Sequence, residues 1–107
     1  MRKRNKSDPK IYQQAFERSE GGLCEICSSN DRTEMHHIIY GNGKRIPCER
    51  LESVIFLCNK HHKQNNGIHG KNGHILNLTL KQKLQDNYFK SGMEEAEVRK
   101  WMGGKLY

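Results

Sequence analysis

Cys24-Glu25-Ile26-Cys27 and Cys58-Asn59-Lys60-His61 are the two segments that decide how this chain folds. Each segment places two thiol or imidazole side chains three positions apart, a spacing that lets both side chains reach one tetrahedral zinc ion. The two pairs together predict a structural zinc site with the ligands Cys24, Cys27, Cys58 and His61. Two alternatives stay open here: some of these cysteines are ordinary buried thiols, or Cys48 replaces His61 as the fourth ligand.

The composition indicates that such a site is needed. The chain has 107 residues, about the length of one domain, and only 34% of them are hydrophobic. The mean hydropathy is -0.97, so the apolar core is small and a metal staple would support it. No apolar run approaches the roughly 20 residues that cross a bilayer, and no apolar signal segment follows the basic start. We therefore expect a cytoplasmic protein without a membrane partner, whose reduced thiols favour metal binding over disulfides.

The charge favours a polyanionic partner, and DNA is the first candidate. Nineteen Lys and Arg residues stand against 12 Asp and Glu residues, which gives a net charge of +7 and an isoelectric point near 9.4. Several basic residues lie in the tail 1–7 or close to the metal motif and are candidates for phosphate contacts. These are Arg2, Lys3, Arg4, Lys44, Arg45 and Lys63. The alternative for any one of them is a solvated charged surface.

The local patterns predict an α+β fold. Asp8 and Pro9 form a cap and first turn for a helix over about 9–19. Residues 33–40 and 54–57 are rich in β-branched and aromatic side chains, which predicts two strands joined by a loop over 41–47. Asn59 is expected to cap a short helix that carries His61 and His62.

The second half of the chain predicts two further helices, a C-terminal extension over about 79–103. Thr79 and Ser91 each precede Gln or Glu by three positions, the spacing of a capping box. Apolar residues follow each of them at helical spacing. Gly92 is expected to separate the two helices, and Gly103-Gly104 to end the second.

Six histidines are a high number for a chain of this length, and most of them lie near the metal motif. An isolated histidine is more often a core or solvated residue than a ligand, but a cluster favours a site. If His61 faces the zinc, His62 is rotated by about 100° around the helix and points elsewhere. A second site that includes His62 is therefore expected.

Four segments together resemble a known family. They are Cys24-x2-Cys27, Met35-His36-His37-Ile38-Ile39, Val54-Ile55-Phe56-Leu57-Cys58-x2-His61-His62, and Gly67-Ile68-His69-Gly70. This combination strongly resembles the HNH (ββα-metal) endonucleases, specifically the small zinc-knuckled type common in bacteriophages and prophages. The resemblance covers about residues 23–73. It implies a ββα-metal core with a structural zinc site, flanked by one N-terminal and two C-terminal helices within a single domain, 1–107.

The resemblance also implies roles for individual residues. His37 falls on the family's general base, while His36 and His62 fall on ligands of a catalytic divalent cation such as Mg²⁺ or Mn²⁺. The family's last ligand falls on Asn66, and His69 is the histidine nearest to it, so either residue could complete the site. Ser53 stands where the family has the middle Asn of its motif, and its hydroxyl could take over part of the positioning of the base.

The pair His36-His37 carries a geometric requirement. Neighbouring residues of a strand point to opposite faces of a sheet, so both histidines reach one site only if the chain bends or bulges there. We therefore expect such an irregularity near His37.

The expected activity is hydrolysis of DNA phosphodiester bonds with one divalent metal and a histidine base, and the resemblance implies 5′-phosphate and 3′-hydroxyl products. A bacterial host and a phage or prophage origin are expected with it. One alternative is a non-catalytic zinc module that binds DNA or phage packaging or recombination proteins. Another is a nuclease that acts on RNA.

Overall fold

Two antiparallel strands and four helices form the fold in this computed structural model, which describes residues 8–40, 44, 48–63 and 73–107. The elements follow one another as α1 (Pro9–Arg18), β1 (Glu34–His37), β2 (Val54–Leu57), α2 (Asn59–His62), α3 (Gly73–Lys90) and α4 (Glu95–Trp101). The predicted α+β class is confirmed. Within the described ranges, none of the helices has the length and apolar character needed to cross a bilayer.

Helix α1 begins as predicted and ends one residue early, at Arg18. The Asp8 carboxylate accepts a hydrogen bond from the Lys10 N–H at 2.9 Å, which satisfies one of the open donors of the first turn. Ala15 is fully buried against β2. The rings of Tyr12 and Phe16 lie 5.5 Å and 6.2 Å from the ring of Phe56, so one face of α1 packs on the sheet.

Strand β1 is shorter than the predicted 33–40, whereas β2 spans the predicted 54–57. The register pairs each residue of Glu34–His37 with one residue of Val54–Leu57 without a bulge. Ile38 and Ile39 leave the strand but stay buried, and the Ile38 N–H still donates to the Ser53 carbonyl at 2.8 Å. Packing of these two side chains into the core therefore takes precedence over their preference for extended structure.

The starts of three helices differ from the predictions. Cys58, and not Asn59, is the N-cap of α2. Helix α3 already includes Gly73, so Thr79 lies inside it, where its hydroxyl donates to the Ile75 carbonyl four residues back. Glu94, and not Ser91, is the N-cap of α4, because the Ser91 hydroxyl donates to a carbonyl of the preceding helix. A hydroxyl can bond to a preceding carbonyl as well as cap a helix, so the capping-box spacing is ambiguous.

The extension packs as its apolar spacing predicts. Leu80, Leu84 and Tyr88 of α3 are buried together with Val98 and Met102 around α4. Gly92 separates the two helices at a φ of 97°, a value that residues with a side chain rarely adopt. The same core cluster contains Cys24, Cys58 and Leu57, so the extension and the candidate metal ligands share one buried interior.

Arg18, at the end of α1, joins three segments. Its guanidinium donates to both carboxylate oxygens of Glu25 at 2.7 Å and 2.9 Å. It also donates to the carbonyls of Leu51 and Val54, each at 2.7 Å. Glu25 in turn accepts from the Phe56 N–H at 2.8 Å. A planar guanidinium and a carboxylate make two parallel charge-assisted bonds, so this pair fixes the cysteine-bearing loop against β2.

Arg18→Met should lower the free energy of unfolding by about 2 kcal/mol, because it removes the guanidinium that donates to the Glu25 carboxylate and to two backbone carbonyls. Urea unfolding of the zinc-loaded protein measures the change. Arg99→Met is the matched control, since it breaks only the exposed i,i+4 pair with Glu95 and should leave stability close to that of the parent. Equal effects of the two substitutions would contradict the role assigned to Arg18.

Candidate metal centre and histidine site

A tight turn presents the first cysteine pair. The Ser28 N–H donates to the Cys24 carbonyl at 2.7 Å, and the Cys24 N–H donates to the Ser29 carbonyl at 2.9 Å. Ser28 adopts a φ of 66°, which reverses the chain directly after Cys27. The two thiols therefore lie on the same side of the turn.

The start of α2 presents the second pair. Cys58 ends the extended chain of β2, and the His61 N–H donates to the Cys58 carbonyl at 3.1 Å. One helical turn returns the chain to the same side after three to four residues, so the two side chains face one point.

The four predicted ligand atoms come together. Sγ of Cys27 lies 3.7 Å from Sγ of Cys58, and Nδ1 of His61 lies 3.5 Å from Sγ of Cys24 and 3.3 Å from Sγ of Cys58. All four atoms lie within 4.8 Å of one another. Ligands about 2.0–2.3 Å from a tetrahedral zinc ion are separated by roughly 3.3–3.8 Å. The residues Cys24, Cys27, Cys58 and His61 could therefore hold a structural metal ion such as zinc.

The surroundings of Cys24 favour its thiolate. Burial raises its pKa, but backbone N–H groups of Cys58, Cys27 and Ile26 and the ring of His61 outweigh burial and lower the pKa to about 6. The pKa of Cys27 is raised although the Ser29 N–H lowers it, because burial and the two neighbouring sulfurs act in the opposite direction. Three crowded sulfurs cannot all ionise without a cation between them.

Cys48 does not take part in this group. It is buried away from the other three cysteines, and its thiol donates to the Lys100 carbonyl at 3.8 Å. Burial raises the pKa of Cys48, so it remains a neutral thiol. Among the residues that the structure describes, His61 is therefore the fourth member of the set, and Cys48 is a core residue.

A second group forms around His62. The rings of His36 and His62 are both buried, with centroids 5.4 Å apart. The Glu34 carboxylate lies 3.0 Å from Nδ1 of His62 and 3.3 Å from Nζ of Lys63. A carboxylate on one ring nitrogen sets the orientation of an imidazole, an arrangement that is common around metal-bound histidines. No second set of three ligand atoms as close as the cysteine site occurs in the described ranges.

His37 points away from this pair. Because β1 keeps a regular register without a bulge, His36 and His37 leave the strand on opposite faces, and the expected irregularity is a bend directly after His37, at Ile38 and Ile39. Nε2 of His37 lies 2.6 Å from the Glu49 carboxylate, and both side chains are buried. The other oxygen of Glu49 accepts from the Asp8 N–H at 2.9 Å.

Ser53 supports the segment that carries Glu49. Ser53 is buried, with 1% of the residue exposed. Its hydroxyl accepts a hydrogen bond from the Arg50 N–H at 2.8 Å and donates one to the Cys48 carbonyl at 2.9 Å. Ser53 therefore holds the two neighbours of Glu49, and its own carbonyl binds the residue after His37. The hydroxyl acts on the backbone around Glu49.

Several predicted site residues fall outside the described residues: His69 and Asn66, and the basic residues Arg2, Lys3, Arg4 and Arg45. Of the other predicted phosphate contacts, Lys44 is exposed, and Lys63 forms an ion pair with Glu34.

Sequence reasoning missed Glu34 and Glu49. Glu34 precedes His36 by two positions in a strand, which places both on one face, and this spacing was a usable signal. Glu49 lies 12 residues from His37 in the chain, and no local pattern connects them. Comparison of the chain with protein-family models, curated proteins and solved structures finds no significant match.

Purified protein should contain close to one tightly bound zinc ion per chain, and Cys24→Ser should lose it and unfold at a markedly lower temperature. The reason is that binding free energy at such a site contributes directly to folding. Elemental analysis and thermal unfolding measure both effects.

Cys48→Ser is the matched control, because it changes a buried thiol of the same core without touching the ligand set. It should retain the zinc. A folded parent protein without zinc, together with a Cys24→Ser variant of equal stability, would exclude the structural site.

Proposed function

We propose that this protein is a metal-dependent DNA endonuclease of the HNH type. The observation that carries the proposal is the pairing of His36 with His62, two buried imidazoles 5.4 Å apart. One comes from a β-hairpin and the other from the helix that follows it, in the order β1, β2, α2. The Cys24, Cys27, Cys58 and His61 group fastens that hairpin and helix together.

The donor set suits a catalytic divalent cation. His36 and His62 supply imidazole nitrogens, and Glu34 orients His62 from its other nitrogen. Mg²⁺ prefers oxygen ligands, so two imidazoles favour a transition metal ion over Mg²⁺. A cation held by few protein ligands would stabilise charge on the phosphoryl oxygens and on the leaving oxygen. The net charge of +7 favours a nucleic acid as the substrate.

His37 is the proposed general base, and Glu49 is the residue that positions it. When Nε2 of His37 donates to Glu49, the carboxylate fixes the tautomer and the orientation of the imidazole, as a positioned general base requires. The Asp8 N–H holds the second oxygen of Glu49, and Ser53 fixes the backbone on both sides of it. Ser53 is thus a positioning residue in this proposal.

A second candidate function has its own support. The regular β1 register directs His37 to the face opposite His36, where it is bonded to a buried carboxylate. This arrangement equally suits a structural His37, in which case the protein is a non-catalytic zinc-stabilised DNA-binding module. Cleavage measurements separate the two functions.

His37→Ala should keep the zinc and DNA binding but lose cleavage by roughly 10²-fold or more, the usual effect of removing a general base. His62→Ala should lose cleavage together with affinity for a second divalent cation. Supercoiled plasmid and RNA are incubated side by side with saturating Mg²⁺ or Mn²⁺, and calorimetry follows binding of the second cation. His74→Ala, an exposed histidine of α3, is the control and should cleave as the parent does.

Glu49→Gln adds a test of positioning. If Glu49 acts through His37, the double variant Glu49→Gln, His37→Ala should cleave no more slowly than His37→Ala alone. Additive losses would show that Glu49 acts independently. A parent protein that binds DNA but cleaves neither DNA nor RNA with any of these cations would overturn the nuclease proposal and leave the binding module.

A further inference from the structure

A cluster of lysines and tyrosines forms where the end of the chain packs near α3 and the segment after β1. Nζ of Lys81 in α3 lies 5.4 Å from the ring centre of Tyr40 and 4.7 Å from that of Tyr107. Nζ of Lys105 lies 5.1 Å from the ring of Tyr107. Two aromatic rings thus hold the ammonium groups in place by cation–π attraction.

Lys44 belongs to the same cluster. A Cβ atom added to Gly103 would lie only 3.0 Å from Cδ of Lys44, so the stem of this lysine rests on the turn after α4. Burial and the charges of Lys105 and Lys44 all lower the pKa of Lys81. Like charges are therefore close enough to repel one another. In the described part of the chain, none of these three lysines forms an ion pair with a carboxylate.

The cluster is held in a fixed position. The side-chain amide of Gln85 accepts from the Tyr107 N–H at 2.6 Å and donates to the Tyr107 carbonyl at 2.9 Å. These two hydrogen bonds tie the segment after α4 to α3, one helical turn from Lys81. The lysines are therefore held near one another despite their repulsion, which is the arrangement expected where a polyanion binds.

The cluster adjoins the histidine pair. The Tyr40 ring contacts both groups: its centre lies 5.5 Å from that of the His36 ring and 5.4 Å from Nζ of Lys81. These contacts place Nζ of Lys81 no more than about 11 Å from the His36 ring centre, a distance that a few successive phosphates of one strand span. A strand bound at His36 can thus continue onto the lysines.

We propose that Lys44, Lys81 and Lys105, held by Tyr40 and Tyr107, bind the phosphate backbone of DNA next to the His36–His62 pair. The choice of DNA rests on the proposed function. Lysines act as point charges on phosphates and fix the register of a nucleic acid without reading its bases. The cluster therefore adds affinity for all DNA sequences alike.

Fluorescence anisotropy with a short DNA duplex at several salt concentrations tests the surface. It is performed without added divalent cation, and also without a chelator, which would compete for the zinc. The double variant Lys81→Gln, Lys105→Gln should bind on the order of tenfold more weakly at low salt, and the slope of log K against log salt should become shallower by about 2. Lys81→Arg should bind as the parent does, since it keeps the charge.

Lys90→Gln is the matched control. It removes one charge from the same helix, at an exposed lysine that is paired with Asp86, and should leave the slope unchanged. If every lysine substitution, including Lys90→Gln, weakened DNA binding equally, net charge alone would account for the binding. That result would overturn the proposal. Lys105→Gln alone, at an exposed residue, keeps the test valid if Lys81→Gln fails to fold.

This outcome is separable from that of the nuclease assay. Loss of binding in the double variant of a protein that cleaves nothing would support the surface and refute the nuclease. If the parent cleaves DNA and the double variant binds DNA as tightly as the parent, the nuclease proposal is supported and the lysine surface is refuted. Binding of the parent to anionic lipid vesicles but not to DNA would exclude DNA as the ligand of the cluster.

Discussion

The convergence of three thiols and one imidazole is the constraint on which the rest of this structure depends. Cys24 and Cys27 lie on a loop after α1, while Cys58 and His61 lie where β2 passes into α2. Their ligand atoms lie within 4.8 Å of one another, and two of the four residues, Cys24 and Cys58, belong to the larger apolar cluster. A metal ion there would close a long loop around the hairpin, and the free energy of binding would add to that of folding. A core of this size gains much from such closure.

Polar contacts between distant segments add to the stability that the small apolar core provides. Arg18 and Glu25 bridge α1, the cysteine loop and β2, and every strong acceptor in this group has a donor. Glu49 does the same between His37 and the start of α1. A buried carboxylate is costly unless its lone pairs are satisfied, and a satisfied one specifies a single arrangement of its neighbours. These contacts therefore define the geometry around the histidines as well as the fold.

The hairpin divides the histidines between two environments. One face of β1 carries Glu34 and His36 toward His62, and the other carries His37 toward Glu49. The first environment has the composition of a metal site with an oriented ligand. The second has the composition of a histidine held by a carboxylate, which suits both a positioned base and a structural residue. The distribution of chemistry in this protein thus follows from the twofold alternation of a single four-residue strand.

The sequence by itself determined the parts whose causes are local. Ligand pairs three positions apart, the run that forms β2, and the apolar spacing of α3 and α4 all act within one turn or one strand, so they were predictable. The starts of α3 and α4 were wrong because the hydroxyls of Thr79 and Ser91 bond to preceding carbonyls instead of capping.

Only the tertiary structure decided the partners that lie far apart in the chain. His37 meets Glu49 across 12 residues, Arg18 meets the Val54 carbonyl across 36, and Asp8 meets Glu49 across 41. It also decided that Cys48 stays outside the ligand set, although its residue type fits. Such contacts depend on how whole elements pack and on which face each side chain leaves, and no pattern of neighbouring residues encodes either of these.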